Sequence, residues 1–285
     1  MSQSHETLPP LSADPGEAAR RRRARTLHIS RWALPVTMIV IAILAWDSLV
    51  RINGIPHYIL PGPGLVAETL VADRAILLPA AWVTAKITLM ALAVAVIGGV
   101  GLALLFSLSP LAERSFYPFA VILQVTPVVA IAPLIFIYIG NHMVGLLLCA
   151  WLVAFFPILS NTSLGLRSAD HNLRDLFTIY GASRWQRLRL LQIPSALPYF
   201  LGGLRIAGGL ALIGAVVAEY VAGTGGIGSG LAFRILEAGY RLNVPRMFAA
   251  LVLIGALGVA VFLATSLVSW LLLRRWHESA VQKQN

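Results

Sequence analysis

The sequence has little of the chemistry on which most enzymes and metal proteins depend. It contains one cysteine among 285 residues, Cys149, which excludes an internal disulfide and a cysteine-rich metal site. The 6 histidines are scattered over loops and tails, and none forms an H-x-x-x-H or H-E-x-x-H pair. We therefore expect no catalytic residues, no metal site and no cofactor bound by this chain.

Nucleotide-binding motifs are missing or incomplete. The chain has no G-K-[ST] sequence, so it lacks a phosphate-binding loop of the P-loop type. Residues 223–228 match the pattern G-x-G-x-x-G, but they lack a preceding strand and a ribose-binding acid, so a flexible turn is the simpler interpretation. If the function consumes ATP, a partner subunit must bind the ATP and its Mg²⁺.

Charged residues are also scarce, while apolar residues are abundant. Charged residues make up 12% of the chain and apolar residues 58%, which is typical of a protein whose core is solvated by lipid. Runs long enough to cross about 30 Å of hydrocarbon predict an all-α membrane protein with six transmembrane helices at residues 32–50, 87–108, 116–139, 143–164, 199–221 and 247–273.

The third run is unusual because it contains Pro118, Pro127 and Pro133. It is therefore either one kinked helix or two half-helices. Backbone broken at membrane depth persists only where neighbouring protein or a water-filled cavity satisfies its polar groups. We expect this run to line a shared interior.

The basic residues are distributed unevenly along the chain. With the N-terminus inside, the inner segments hold fifteen of the 22 basic residues, the outer segments hold six, and Arg205 lies within the fifth run. The positive-inside rule then places both termini in the cytoplasm. The net charge of +10 reflects this bias and contact with anionic membrane lipid, and we expect no nucleic-acid binding. Arg205 is expected early in its run, within reach of the inner headgroups.

The segments outside the spans are short. Residues 1–31 are rich in Pro, Ser, Ala and Arg and have no apolar run, which predicts a disordered, basic cytoplasmic tail. They are not a signal peptide, because the apolar segment after them is long enough to span a membrane and has no small-residue cleavage site. Residues 32–276 are predicted to form the transmembrane domain, and residues 277–285 a second cytoplasmic tail.

A basic stretch at residues 169–198 separates the fourth run from the fifth. Residues 170–180 have helical spacing, Gly181 breaks the pattern, and Ser183 with Gln186 predicts a capping box at the start of a second short helix. Pro194 is expected to end that helix. The stretch is predicted to be a cytoplasmic helix-turn-helix. Because long apolar runs adjoin both of its ends, it would be held at a bilayer surface, which argues against DNA binding.

This stretch resembles the cytoplasmic EAA loop of ABC-type importer permeases, whose pattern is E-A-A, three residues, Gly, nine residues, I-x-L-P. The acid, the glycine and the proline of that pattern are present, but large side chains stand in place of the two alanines. Leu-Pro-Gly-Pro at 60–63 and Gly-Ala-Ser-Arg-Trp at 181–185 are similar to the nitrate, sulfonate and taurine branch. The resemblance implies an ATPase-coupling loop formed by Asp175, Leu176, Phe177, Gly181, Ala182, Ser183, Arg184, Leu191, Ile193 and Pro194.

The same resemblance implies the rest of a machine in the bacterial inner membrane. It implies a type I ABC importer permease fold and a homodimer of the permease that forms the translocation path. It also implies two cytoplasmic ABC ATPase subunits and a periplasmic or lipid-anchored substrate-binding protein. The solutes of this branch include nitrate, taurine, aliphatic sulfonates and heterocyclic nutrients such as thiamine precursors, and the sequence does not choose among them.

A few polar groups within or beside the apolar runs are candidates for the pathway. Glu219 closes the fifth run beside the glycine-rich turn, where an outer gate would lie. Gln124 and Asn161 could line the path or form interhelical hydrogen bonds. The alternative function, an ion-coupled secondary transporter or channel, needs carboxylates at mid-membrane, and the sequence offers only Asp47 and Glu219, both near the ends of runs.

Overall fold

A computed structural model describes residues 15–223 and 228–274, with side chains from residue 33 onward. Every regular element in these residues is a helix. In chain order they are α1 (Pro15–Ile52), α2 (Pro63–Ala72), α3 (Arg74–Leu108), α4 (Pro110–Val125), α5 (Val128–Tyr138), α6 (His142–Arg167), α7 (His171–Ile179), α8 (Arg184–Arg187), a π-helical turn (Leu188–Gln192), α9 (Ile193–Ala222), α10 (Leu231–Tyr240) and α11 (Val244–Leu273).

The described residues contain five helices that are long and apolar enough to cross a membrane, and a bent helix pair that gives the predicted six if it counts as one span. The five helices are part of α1 (Ala33–Ile52), α3, α6, α9 with the segment before it, and α11. The sixth is the pair α4 and α5, which is bent by 102°. The third run is therefore two half-helices. Thr126 is extended at the break because the ring of Pro127 disfavours helical backbone in the residue before it.

The predicted span boundaries need correction at several helix starts. The second span begins at Arg74 rather than at residue 87, the fifth extends back beyond residue 199, and the sixth begins at Val244 rather than at residue 247. Polar residues in the early turns do not stop α3, because Thr84 and Thr88 direct their hydroxyls to carbonyl oxygens one turn earlier in the same helix. The spans are longer than their apolar runs.

The prediction of a disordered N-terminal tail is wrong for residues 15–31, whose backbone belongs to α1. Alanine and arginine, which are frequent there, are strong helix formers. A helix that continues from a membrane span also needs no new nucleation. Residues 1–14 and the predicted C-terminal tail at 277–285 lie outside the described residues.

The core of the bundle is α6, which packs lengthwise against both α3 and α9. Glycines bring the α6 and α9 backbones close together. A Cβ atom at Gly165 of α6 would lie 2.8 Å from the Cα of Ala196, and one at Gly214 of α9 would lie 2.8 Å from the Cα of Ala150. At Gly203 the added atom would lie 2.9 Å from a carbonyl oxygen of α6. Only glycine permits this separation, since real Cβ atoms do not approach backbone so closely.

Polar contacts show which helix ends lie together. At one end of the bundle Glu113 of α4 pairs with Arg167 of α6, and the Ser107 hydroxyl at the end of α3 donates to Gln192 before α9 (3.1 Å). At the opposite end Arg246 of α11 pairs with Asp73, which precedes α3. The spans therefore alternate in direction, as six consecutive membrane crossings require.

Gly165→Ala is expected to lower the free energy of unfolding by about 1–3 kcal/mol, because the new methyl group must push α9 away from α6. Gly101→Ala is the matched control, since Gly101 of α3 has nothing within 4 Å of the position of an added Cβ. The control should leave stability unchanged or slightly raised. Thermal denaturation of both purified variants in detergent measures the difference, and equal melting temperatures would contradict the packing argument.

Candidate functional site

The predicted helix-turn-helix is present as α7 and α8. The Asp170 carboxylate caps α7 by accepting hydrogen bonds from the backbone N–H groups of Asn172 (2.7 Å) and Leu173 (3.3 Å). The capping box of Ser183 and Gln186 is formed in both directions, at 2.8 and 3.2 Å. The turn between the helices is tight, and its local geometry follows directly from these capping residues.

The prediction that Pro194 ends the second helix is wrong. Helix α8 passes into the π-helical turn Leu188–Gln192 and then into α9, so that Arg184–Ala222 is one continuous helical element. Proline has no N–H, and its ring clashes with the carbonyl one turn earlier in a regular α-helix. The wider π turn changes the register there, and Pro194 lies in the first turn of α9, where its N–H is not needed. The second half of the loop is thus a direct extension of the fifth span.

Side-chain contacts fix the helix pair to the bundle. Arg174 of α7 donates from Nη2 to the carbonyl oxygen of Arg167 at the end of α6 (2.6 Å). Arg187 of α8 donates to the Thr178 hydroxyl of α7 (3.2 Å). Leu188 is buried in the hydrophobic core between α6, α3 and α9, and Leu191 is also buried. The pair therefore has little freedom to move independently of α6 and α9.

The predicted coupling-loop residues fall into two groups. Asp175, Leu176, Gly181, Ser183, Arg184 and Ile193 are exposed, whereas Phe177, Ala182, Pro194 and above all Leu191 are partly or fully buried. Beside the exposed members lie three large apolar side chains that the sequence prediction did not include. Together with the predicted Leu176 they form a set in which each side chain is at least 44% exposed: Leu176, Ile179, Tyr180 and Trp185. We call these four residues the coupling face. A contiguous apolar patch rimmed by charged groups is typical of an interaction site.

A cavity of about 410 Å³ lies where α4 and α5 meet, against α6 and α9. Gln124, one of the predicted pathway residues, lines this cavity together with Thr126 and Pro127 of the break. Asn161 is not among the lining residues. Its side-chain amide donates to the Pro157 carbonyl of its own helix (2.8 Å).

Glu219 is 3% exposed and does not line this cavity. Its Oε2 accepts hydrogen bonds from the Thr84 hydroxyl (3.1 Å) and from the backbone N–H of Ala232 (3.0 Å). Thr84 in turn accepts a hydrogen bond from the N–H of Leu231 (2.9 Å). A Cβ at Gly230 would overlap the Glu219 carboxylate. Glu219 and Thr84 therefore cap the N-terminus of α10 from two other helices, and a carboxylate is well suited to this because the end of a helix carries partial positive charge.

No sequence pattern indicates the role of Thr84, since a single threonine in an apolar run has no distinguishing neighbours. Next to this cap, Glu237 of α10 pairs with Arg234 (2.8 Å) and Arg241 (3.0 Å). The hydrogen bond from Arg234, with the nearby positive charges, holds the pKa of Glu237 below its ordinary value. Helix α10 thus carries ionised groups at neutral pH and is anchored at its start by a buried cap.

No group of three His, Cys, Asp or Glu side chains within the described ranges could hold a metal ion. The features that the structure does bring together are a broken span, a cavity beside it, and an exposed helix pair that continues into a span lining the cavity. A multi-pass helical membrane protein with these features has the architecture of a transport permease.

The chain belongs to the family of inner membrane components of binding-protein-dependent transport systems, whose family model matches residues 95–277. It is therefore a permease subunit of an ABC importer.

Relatives cover nearly the whole chain. It is 34% identical to the riboflavin transport system permease protein RibX of Chloroflexus aurantiacus over 96% of this chain and 99% of that one. It is 32% identical to the formylaminopyrimidine transport permease protein ThiX of Halalkalibacterium halodurans over 81% and 90%. Identity to the putative aliphatic sulfonates transport permease protein SsuC of Bacillus subtilis is 27% over 88% and 89%.

A solved structure of inward-facing conformations of the MetNI methionine ABC transporter has the same fold. It matches with a TM-score of 0.59 at 18% identity, covering 70% of this chain and 96% of that one. The expected type I ABC importer permease fold is confirmed.

Glu219→Ala is expected to destabilise the protein by about 1–3 kcal/mol, because the Ala232 N–H and the Thr84 hydroxyl lose a buried acceptor. Glu219→Gln keeps an oxygen acceptor and should recover most of that loss. Thermal denaturation in detergent, combined with protease cleavage near Leu242, measures stability and the release of α10. If the alanine variant melts like the parent and resists protease equally, Glu219 does not hold α10.

Proposed function

We propose that two copies of this permease form the path of a small solute across the bacterial inner membrane. Two cytoplasmic ABC ATPase subunits drive the cycle, and a periplasmic or lipid-anchored binding protein delivers the solute. The observation that supports this proposal most directly is the continuity of α8 with α9, which joins an exposed cytoplasmic surface to a wall of the cavity. Membership of a binding-protein-dependent family supports the choice of partners.

The coupling face is the surface on which the ATPase docks in this proposal. Closure of the two ATPase subunits on ATP pushes α7 and α8 together with the end of α6. Because the π turn and α9 continue α8 without a break, that movement reaches Leu210, Ile213 and Val217, which line the cavity. ATP and Mg²⁺ are bound by the partner, and this chain contributes movement and no catalytic residue.

Both termini lie in the cytoplasm in this proposal. The basic bias of the inner segments supports this orientation. The helix ends that pair near the coupling face, those of α3, α4, α6 and α9, then all lie on the cytoplasmic side, and α10 lies on the side of the binding protein.

The solute is a nitrate-, sulfonate- or taurine-like anion or a related small nutrient. Named relatives carry riboflavin, formylaminopyrimidine and aliphatic sulfonates, so family membership by itself leaves the choice open. The cavity is mainly apolar, with Gln124 and Thr126 as its polar side chains. Such a lining supports selectivity that resides largely in the binding protein.

An ion-coupled secondary transporter or channel is supported less well. Asp47 pairs with Arg51 at 2.7 Å, and Glu219 is engaged in capping α10. Neither carboxylate faces the cavity between α4, α5, α6 and α9.

Coexpression with the ABC ATPase and the binding protein of the same organism tests the proposal. We expect one complex to purify from detergent through a tag on the permease, and its ATP hydrolysis to rise when solute-loaded binding protein is added. A chain that purifies alone and moves solute in liposomes without ATP would contradict the importer mechanism and support the secondary transporter.

Gly181 tests the coupling role through backbone strain, because it has φ of +66° and open space around the position of a side chain. Gly181→Val is expected to distort the turn, since β-branched residues avoid this left-handed region, whereas Gly181→Asn is the tolerated control. The valine variant should insert into the membrane but lose stimulated ATP hydrolysis and uptake, and the asparagine variant should retain both. Normal uptake by the valine variant would refute the coupling role of this turn.

A further inference from the structure

Arg205 lies in the middle third of helix α9. Since α9 begins at Ile193 and ends at Ala222, Arg205 is about 18 Å from one end and about 26 Å from the other at 1.5 Å per residue. Because α9 begins six residues before the predicted run, more helix precedes Arg205 than that run indicates. An arginine side chain is much shorter than either distance, so its guanidinium group stays beside the middle of the helix.

The surroundings of Arg205 within the described residues leave its charge uncompensated. None of the ion pairs in that part of the chain includes it. Its guanidinium carbon lies 5.7 Å from the ring centroid of Phe262 on α11, which supports one face of the group and leaves its N–H edges free. The side chain is exposed at the surface of the bundle. A lipid-facing arginine at this depth is strongly unfavourable, so this surface must face water or protein.

The same side of α9 leads into the cavity. Its other exposed residues recur at helical spacing as Gly202, Ile206, Gly209 and Ile213, and we call these with Arg205 the open stripe. Ile213 also lines the cavity, as do Leu210 and Val217. The opposite wall of that cavity is the broken backbone between α4 and α5, which itself requires a wet or protein-filled neighbourhood. Arg205 does not itself line the cavity, but the open stripe connects it along α9 to Ile213, which does.

We propose that Arg205 lines the water-filled translocation path and binds the anionic group of the solute, such as a sulfonate, carboxylate or nitrate. This inference rests on the proposed function, and it narrows the proposed solute to one that carries an anionic group. The guanidinium offers a planar set of donors that matches two oxygens of such a group. In a homodimer the two-fold symmetry places a second Arg205 on the other wall of the path.

Charge-selective thiol labelling tests the site without knowledge of the solute. Ile213→Cys is introduced with Cys149→Ala, so that the chain has a single thiol, and the complete transporter is labelled in membrane vesicles. The probes are sulfonatoethyl methanethiosulfonate, which is a small sulfonate anion, and the trimethylammonioethyl reagent, which is a cation of similar size. The ratio of the two labelling rates reports the local potential, because the state of the thiol affects both rates equally.

Arg205→Met and Arg205→Gln are each expected to lower the ratio of the anionic to the cationic labelling rate at residue 213 by about tenfold. This is the effect expected for unit charges on the order of 10 Å apart in a medium of intermediate polarity. Arg205→Lys keeps the charge and should keep the ratio. Tyr58→Cys, in the exposed loop after α1, is the matched control whose ratio should not change.

Two labelling results would overturn the inference. A thiol at residue 213 that reacts with neither reagent, while the thiol at residue 58 reacts with both, would show that the open stripe faces lipid. A ratio that is the same in the methionine, glutamine and lysine variants would show that Arg205 does not act on the path.

Uptake by proteoliposomes tests the solute class, with taurine and riboflavin as probes. Under the inference the parent takes up taurine, Arg205→Met loses about tenfold or more of that uptake, and Arg205→Lys retains most of it. If all three proteins take up riboflavin equally and none takes up taurine, the inference about Arg205 is overturned, whereas the proposed importer function stands. Failure of any ATP-driven uptake would count against the proposed function, whereas the labelling ratio is read independently of transport.

Discussion

The backbone contact between α6 and α9 is the packing on which the remaining features depend. In lipid, helices gain little from burying apolar side chains, so close approach of small residues must supply the contact energy. Gly165, Gly203 and Gly214 provide that approach over the length of α9. The helix held in this way continues from α8 at one end, carries the cavity wall and Arg205 in its middle, and carries the Glu219 cap at its other end.

The π-helical turn before Pro194 determines how α8 is joined to α9. Had the proline ended the preceding helix, irregular chain would connect α8 to the span, and such chain would absorb motion. The wider turn accommodates the ring instead, so α8 and α9 form one element. A surface force on α8 can then displace the cavity wall, because helices transmit movement along their axes more faithfully than loops do.

The membrane as solvent accounts for most of the polar groups inside the bundle. Thr84 and Thr88 donate their hydroxyls to carbonyl oxygens of α3, Asn161 donates its amide to a carbonyl oxygen of α6, and Glu219 accepts a hydrogen bond from a backbone N–H of α10. These groups stabilise structure because an unpaired polar group costs too much in hydrocarbon. Two features depart from this pattern, the broken backbone at Pro127 and the uncompensated charge of Arg205, and both lie on the surface that continues into the cavity.

Much of the architecture is encoded locally. The lengths of the apolar runs predict six spans, three prolines in one run predict the break at Pro127, and the Ser183–Gln186 spacing predicts the start of α8, because each signal acts within one or two helical turns. The true starts of α3 and α9, the passage through Pro194 and the surroundings of Arg205 depend on packing against other helices, which no local pattern reports. The capping role of Glu219 likewise requires Thr84 and Ala232, which are remote in sequence.

The sequence alone thus determined the membrane class and the helix pair α7 and α8. Tertiary structure decided which polar groups stabilise the bundle and which face the cavity, because that distinction depends on neighbours brought together only by folding.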